Sequence, residues 1–109
     1  MLNKINRLPA RTKIKEGSKI SSRFFLIKIQ SNTQGVSRFG FIVSKKISKT
    51  AVGRNRIKRF LRICVEKNLD DIKAGIDFLI IAKEESVKAS FSQIFFEFNK
   101  ILNKNYLIK

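Results

Sequence analysis

Apolar and polar positions alternate in two segments near the start of the chain. Alternate positions are apolar in residues 23–30 (RFFLIKIQ) and again in residues 38–44 (RFGFIVS). Alternation of this kind predicts β-strands, and the polar residues 31–35 between them are typical of a turn. We therefore predict two strands that are adjacent and antiparallel.

Two longer segments have helical spacing. Residues 50–68 predict an α-helix whose apolar stripe consists of Ile57, Leu61, Cys64 and Val65. A second helix is predicted after Ser90, because Ser90 and Gln93 match a capping box and apolar residues then recur at three- and four-residue steps. Between the helices, residues 76–82 (IDFLIIA) are almost wholly apolar, which predicts an interior strand.

The first residues have a different character. Residues 1–19 are polar and basic, with a proline at Pro9, and they predict an extended basic arm with a short helix over residues 10–16 before Gly17. No repeat or linker divides the 109 residues. We therefore expect one domain over residues 1–109.

Charge changes this picture because it is concentrated in one part of the chain. The sequence has 24 Lys and Arg against 8 Asp and Glu, a net charge of +16. Residues 1–62 contain 17 of these bases and a single acid, Glu16, whereas the remaining residues contain seven of each sign. Such a surface is unfavourable by self-repulsion unless a polyanion neutralises it, which indicates nucleic acid as the partner.

A helical wheel places the cations of the first helix on one side. Five polar residues of residues 54–62 fill an arc of about 140 degrees opposite the apolar stripe, Arg56 lies outside both, and three lysines precede the helix. Guanidinium groups bind phosphate oxygens two at a time. The residues predicted to bind the phosphates of a nucleic acid are Lys45, Lys46, Lys49, Arg54, Asn55, Arg56, Lys58, Arg59 and Arg62.

Several kinds of site are excluded by composition. The single Cys64 cannot form an internal disulfide, and the chain has no histidine, so we expect no metal site and no cofactor in the protein itself. We also expect no catalytic residues, because an autonomous nuclease needs a general base or clustered carboxylates. With no export signal and no apolar run of membrane-spanning length, a cytoplasmic protein is expected.

Two stretches resemble the protein subunit of bacterial ribonuclease P. These are residues 39–46 (FGFIVSKK) and residues 51–59 (AVGRNRIKR), and the strands and closing helix follow in the family's order over most of the chain. Two features depart from the family pattern. The segment over residues 10–16 lacks the family's aromatic residues, and Gly53 replaces a residue with a side chain, so we expect the helix to begin only at Arg54.

The resemblance implies a fold and a function. The fold is an α+β, two-layer α/β sandwich with a four-stranded sheet, in the order α-β-β-β-α-β-α with a left-handed crossover. The protein would bind the catalytic ribonuclease P RNA and the 5′ leader of precursor tRNA. Magnesium ions bound by the RNA would hydrolyse the phosphodiester, so that the chain serves as the accessory subunit of an endoribonuclease in tRNA processing.

The family's leader strand binds in a cleft between sheet and helices. Rings on the matching strands could stack on unpaired bases, and the candidates are Phe24, Phe25, Phe39 and Phe41. Alternating rings on a strand are also typical of a core, and we expect at least half of these four to be core residues.

A second class of function shares the charge and size. A basic ribosomal protein or a general RNA chaperone would have the same composition. The feature that distinguishes a ribonuclease P protein from these two classes is the linked SKK and RNRxKR pattern of residues 44–59. A generic basic protein has no reason to contain this pattern. A DNA-binding protein is not expected, since no helix-turn-helix or zinc pattern accompanies the basic helix.

Overall fold

A four-stranded sheet lies against two α-helices in the computed structural model of the chain, which describes residues 2–9, 12–14 and 17–109. The α+β sandwich predicted from the sequence is thereby confirmed. The elements in chain order are a 3₁₀ helix Lys4–Asn6, β1 Ser18–Ser21, β2 Phe25–Ser31, β3 Arg38–Ile42, α1 Ala51–Asn68, β4 Ile76–Ala82, a 3₁₀ helix Glu84–Lys88 and α2 Phe91–Lys104.

The strand order in the sheet is β1-β2-β4-β3. The predicted pairing of β2 with β3 is wrong, because β4 inserts between them, antiparallel to β2 and parallel to β3. β4 is apolar at every position except Asp77 and is buried along most of its length, which requires neighbours on both edges. Since parallel neighbours cannot be joined by a tight turn, the chain crosses from β3 to β4 through α1.

One face of the sheet forms the main core with both helices. Ile27 of β2 and Ile80 of β4 are directly paired and fully buried. The helices contribute side chains of equal burial, including Ile57 and Leu61 of α1 and Ile94, Phe98 and Leu102 of α2. Burial of one stripe of each helix holds both of them on the sheet.

The N-terminal segment covers part of the other face. Leu8 and Ile14 pack on Leu79, and the Leu8 N–H donates to the Phe39 carbonyl at 2.9 Å. Gly40 permits this approach, because a Cβ there would lie 3.2 Å from the Leu8 side chain. The arm is therefore part of the fold. No helix is present at residues 12–14, and the other residues of the helix predicted over residues 10–16 lie outside the described residues.

A partly buried ion pair links β3 to β4. Arg38 donates to both carboxylate oxygens of Asp77, at 2.9 and 2.8 Å, and Asn32 donates to the same carboxylate at 2.7 Å. Burial alone would raise the pKa of Asp77, but the hydrogen bonds from Arg38 and Asn32 and the charge of Arg38 outweigh it and lower this pKa. The fold is therefore stabilised by the charged form of Asp77.

Acid is expected to remove this stabilisation. The folded-state pKa of Asp77 lies below its unfolded value of about 3.9. The charged carboxylate therefore contributes its full stabilisation above the unfolded pKa, and this stabilisation is lost as the pH falls through the folded-state pKa. Asp77→Asn should lower the free energy of unfolding by about 2–3 kcal/mol at pH 7, and by less at pH 3, in urea denaturation. The exposed Asp70→Asn is the control. An equal loss at both pH values would contradict the assignment.

α2 ends in a left-handed turn occupied by a tyrosine. Tyr106 has φ 57°, and the Leu107 N–H donates to the Leu102 carbonyl at 3.0 Å, a bond typical of helix ends with glycine at this position. The Tyr106 side chain is 80% exposed, so packing compensates little for the backbone strain.

Replacing this tyrosine should stabilise the protein. We expect Tyr106→Gly to raise the free energy of unfolding by about 0.5–1 kcal/mol, since relief of the left-handed strain exceeds the added entropy of the unfolded chain. Gly35, with φ 76° in open space, offers the reverse test. Gly35→Ala should lower the same quantity by about 1 kcal/mol. A less stable Tyr106→Gly would show that the ring makes a stabilising contact.

Candidate nucleic-acid interface

The loop between β3 and α1 presents three lysines to solvent. Lys45, Lys46 and Lys49 are all exposed. Ile47 between them packs against the core, and its N–H donates to the Ser44 carbonyl at 3.0 Å. Because Ile47 points inward, the neighbouring lysines are held outward.

α1 begins at Ala51, which corrects the expected start at Arg54. The Thr50 side chain caps the helix by accepting the Gly53 N–H at 3.0 Å. A Cβ at Gly53 would overlap the Ser48 hydroxyl and lie 2.9 Å from the Thr50 hydroxyl. Glycine thus lets the loop fold closely over the first turn of the helix, at a position where a side chain would push against the cap.

Arg54 joins the loop to the helix. Its Nη1 donates to the carbonyls of Ser48 and Lys49, at 3.1 Å each, and the side chain is half-buried. These bonds fix the carbonyls of Ser48 and Lys49, and with them the end of the loop, beside α1. Arg54 therefore shapes the surface as well as adding a charge to it.

The two arcs predicted for α1 are seen in the structure. Ile57, Leu61, Cys64 and Val65 are buried, whereas Asn55, Arg59 and Arg62 are exposed and Lys58 is half-buried. We call the loop lysines and the outward residues of α1 the basic surface, which comprises Lys45, Lys46, Lys49, Arg54, Asn55, Lys58, Arg59 and Arg62.

The sequence that forms the basic surface contains no acid, since residues 45–65 include neither Asp nor Glu. The ion pairs of Arg23 with Glu85 and of Arg38 with Asp77 lie outside it. A run of cations along one helical face, with a loop folded beside the helix N-terminus, is suited to a run of phosphates. The arrangement can bind a polyanion without any covalent chemistry.

Arg56 is exposed, but its guanidinium has partners within the protein. Its Nη1 is 3.5 Å from the Val87 carbonyl, and its guanidinium carbon lies 4.6 Å from the centroid of the Phe60 ring. This cation–π contact turns the side chain toward the seam between α1 and α2. Arg56 therefore braces α1 against the segment before α2.

Three of the four candidate stacking rings are core residues. Phe25, Phe39 and Phe24 are 0, 2 and 4% exposed, so the prediction that they stack on bases is wrong for these three. Phe25 packs edge-to-face on Phe98, and Phe39 stacks on Phe78 at 4.9 Å. The alternation that suggested a binding face is the alternation that builds the core.

Phe41 is half-buried and lines a cavity of about 300 Å³. This cavity lies where the N-terminal segment, β3 and α1 meet, and its other lining residues are Leu2, Arg7, Leu8, Phe39, Gly40 and Arg62. Sequence reasoning missed Arg7 and Leu8 as part of a site. A β-bridge between Arg7 and Phe39 places Arg7 and Leu8 beside the cavity. Because this bridge joins residues far apart in the chain, no local pattern in the sequence indicated it.

The sulfur at Cys64 is chemically inert in the fold. Burial raises the pKa of its thiol to about 12, so it stays protonated at neutral pH. Among the described residues, no group of His, Cys, Asp and Glu is placed to hold a metal ion. None of the helices in the described part of the chain is long and apolar enough to cross a membrane.

Known proteins match both the sequence and this geometry. The family model Ribonuclease P covers residues 4–106. The ribonuclease P protein component of Clostridioides difficile (strain 630) is 37% identical over 81 residues, 73% of this chain and 70% of that protein. That of Syntrophomonas wolfei is 36% identical over 94 residues, 86% of this chain and 78% of that protein.

Solved structures match as well. The RNase P protein from Staphylococcus aureus superposes with a TM-score of 0.78 at 26% identity, over 86% of this chain and 85% of that one. The RNase P protein from Thermotoga maritima gives 0.80 at 24% identity, over 90% and 96%, which bears on the fold alone. No relative supports a ribosomal protein or a general chaperone. The chain belongs to the family of ribonuclease P protein components, which are RNA-binding subunits of an endoribonuclease complex.

Proposed function

We propose that this chain binds the catalytic ribonuclease P RNA through the basic surface and assists removal of the 5′ leader from precursor tRNA. The observation that carries the proposal is the run of exposed cations on α1 and on the loop before it, in a stretch of sequence without acids. Each such contact displaces a counterion from RNA, and this release supplies much of the binding free energy. The RNA partners are made in the cytoplasm, which we propose as its location.

Hydrolysis is assigned to the RNA. The chain has no histidine, and residues 45–63 contain no carboxylate, so the basic surface has no side chain suited to act as a general base near neutral pH. Magnesium ions bound by RNA phosphates would supply the activated water and stabilise the leaving oxygen. The ribonuclease P RNA and the precursor tRNA must approach each other although both are negatively charged. The protein would contribute by lowering the repulsion between them.

The cavity beside Phe41 is the candidate site for the leader. It combines an accessible part of one aromatic ring with two guanidinium groups, from Arg7 and Arg62, and it adjoins the basic surface through Arg62. One unpaired nucleotide needs a ring for its base and a cation for its phosphate. Since neither contact depends on which base is present, such a site suits leaders of varied sequence.

Reconstitution tests the proposed role directly. Purified protein is added to a bacterial ribonuclease P RNA and a precursor tRNA carrying its leader, at low magnesium concentration, and cleavage at the mature 5′ end is measured. We expect cleavage only when protein and RNA are both present. Cleavage should weaken with the double variant Arg54→Ala, Arg59→Ala, since it removes two cations of the basic surface and the loop contacts of Arg54.

The control for that double variant is Arg23→Ala with Lys73→Ala, which removes two exposed cations outside the basic surface. It should cleave as the wild type does. RNA binding without any gain in cleavage would contradict the proposed role, as would cleavage by the protein in the absence of the RNA.

Salt dependence tests the phosphate contacts one at a time. If six or more phosphates are neutralised, the affinity for the RNA should fall about a thousandfold between 50 and 200 mM salt. Arg59→Ala should weaken binding and reduce the slope of log Kd against log salt by about one, because an exposed guanidinium contributes one contact. Lys73→Ala, a charge outside the basic surface, should leave the slope unchanged. A flat salt response in the wild type would refute phosphate binding.

A further inference from the structure

Three phenylalanine rings lie at the edge of the main core where the two helices meet, and a fourth lies next to them on the outward side of α2. Phe60, Phe91 and Phe95 are half-buried, and Phe96 exposes 68% of its surface. The centroids of Phe60 and Phe91 are 5.6 Å apart, and those of Phe91 and Phe95 are 5.5 Å apart with nearly parallel planes. Phe96 follows about 100 degrees further around α2. We call these four rings the aromatic seam.

Arg56 connects the aromatic seam to the basic surface. Its guanidinium lies over the Phe60 ring, and it also lines a shallow depression on α1 with Arg59 and Arg62. Around the axis of α1, Arg59, Arg56 and Phe60 follow one another at intervals of about 60 and 40 degrees. A molecule bound on the basic surface can therefore continue onto the rings without leaving the protein.

The exposure of these rings is not required by the fold. The core beneath α2 is formed by Ile94, Phe98 and Leu102, which are already buried. A ring as exposed as Phe96 contributes little burial, and contiguous exposed apolar side chains on a soluble domain typically mark a binding surface. The aromatic seam is therefore a candidate binding surface for another molecule.

Charge selects the class of partner. A second copy of this chain would bring another net charge of +16 to the same surface, which opposes self-association. An unpaired stretch of RNA carries the complementary charge, and its bases stack on both aromatic rings and guanidinium planes. The seam offers both kinds of plane, side by side.

We propose that the aromatic seam stacks on unpaired bases of the same RNA whose phosphates the basic surface binds. This inference rests on the proposed function and adds a second mode of contact, which does not depend on charge. The seam lies on the helix layer and is separate from the cavity beside Phe41. It therefore serves the RNA subunit, and the leader is not its ligand.

Phe96 allows a clean test because its exposure makes folding independent of it. We expect Phe96→Ala to weaken binding to a bacterial ribonuclease P RNA at least about fivefold, from the loss of one stacked base. The slope of log Kd against log salt should stay that of the wild type, because no phosphate contact is lost. Tyr106→Ala removes another exposed ring, beyond the end of α2, and should leave Kd unchanged.

A fluorescent reporter gives a second measurement. The chain contains no tryptophan, so Phe96→Trp introduces a single indole. Stacking on a base should quench its emission when the RNA is added, and Tyr106→Trp should show no quenching. Sedimentation of the wild type without RNA measures self-association.

The outcomes separate this inference from the proposed function. If Arg59→Ala weakens binding but Phe96→Ala does not, and the indole at position 96 is unquenched, the aromatic seam does not bind RNA. Dimers in the absence of RNA that Phe96→Ala abolishes would equally overturn the inference in favour of a contact between copies. If neither variant weakens binding, the basic surface is not the RNA interface and both proposals fail.

Discussion

The position of the basic surface depends on the pairing of β4 with both of its neighbours. Ile80 faces Ile27 across one edge and Phe41 across the other. Because β3 and β4 are parallel, the chain must leave the end of β3 and return along α1. The lysine loop and the start of α1 are thereby placed together at one end of the sheet. The location of the basic surface follows from the topology of the sheet.

The fold accommodates its charge by separating it from the core. α1 buries Ile57 and Leu61 against the sheet while its opposite side carries exposed cations. In the free protein these cations repel one another, and dissolved salt screens that repulsion. The same salt competes with RNA for the same side chains. Ionic strength therefore acts in opposite directions on the stability of the free protein and on its association with RNA.

Local patterns in the sequence predicted local features. The apolar stripe of α1 and the capping box of α2 depend on residues within a few positions of one another, and both were predicted correctly. The neighbours of β4 could not be predicted, because strand pairing joins distant residues and several orders bury the same apolar run. Likewise, alternation on β3 separated two faces without indicating that Phe39 lies in the core.

The role of Arg56 shows the same limit at the level of one side chain. Its place between the two arcs of α1 was evident from the wheel, but its partner Val87 lies 31 residues away. The start of α1 was mispredicted for a related reason. The propensity of Gly53 argued against helix, whereas the close approach of the Ser48 side chain, a tertiary feature, makes glycine suitable there.

The N-terminal segment has a consequence for the unassembled protein. β3 is an edge strand, and the bridge from Arg7 to Phe39 and the hydrogen bond from Leu8 occupy part of its free edge. An open edge would be a template for strand addition by another chain, the first step of amyloid-like aggregation. Because the N-terminal segment covers part of the edge of β3, this association is limited in the protein before it binds RNA. The arm thus protects the free subunit during the interval between synthesis and assembly.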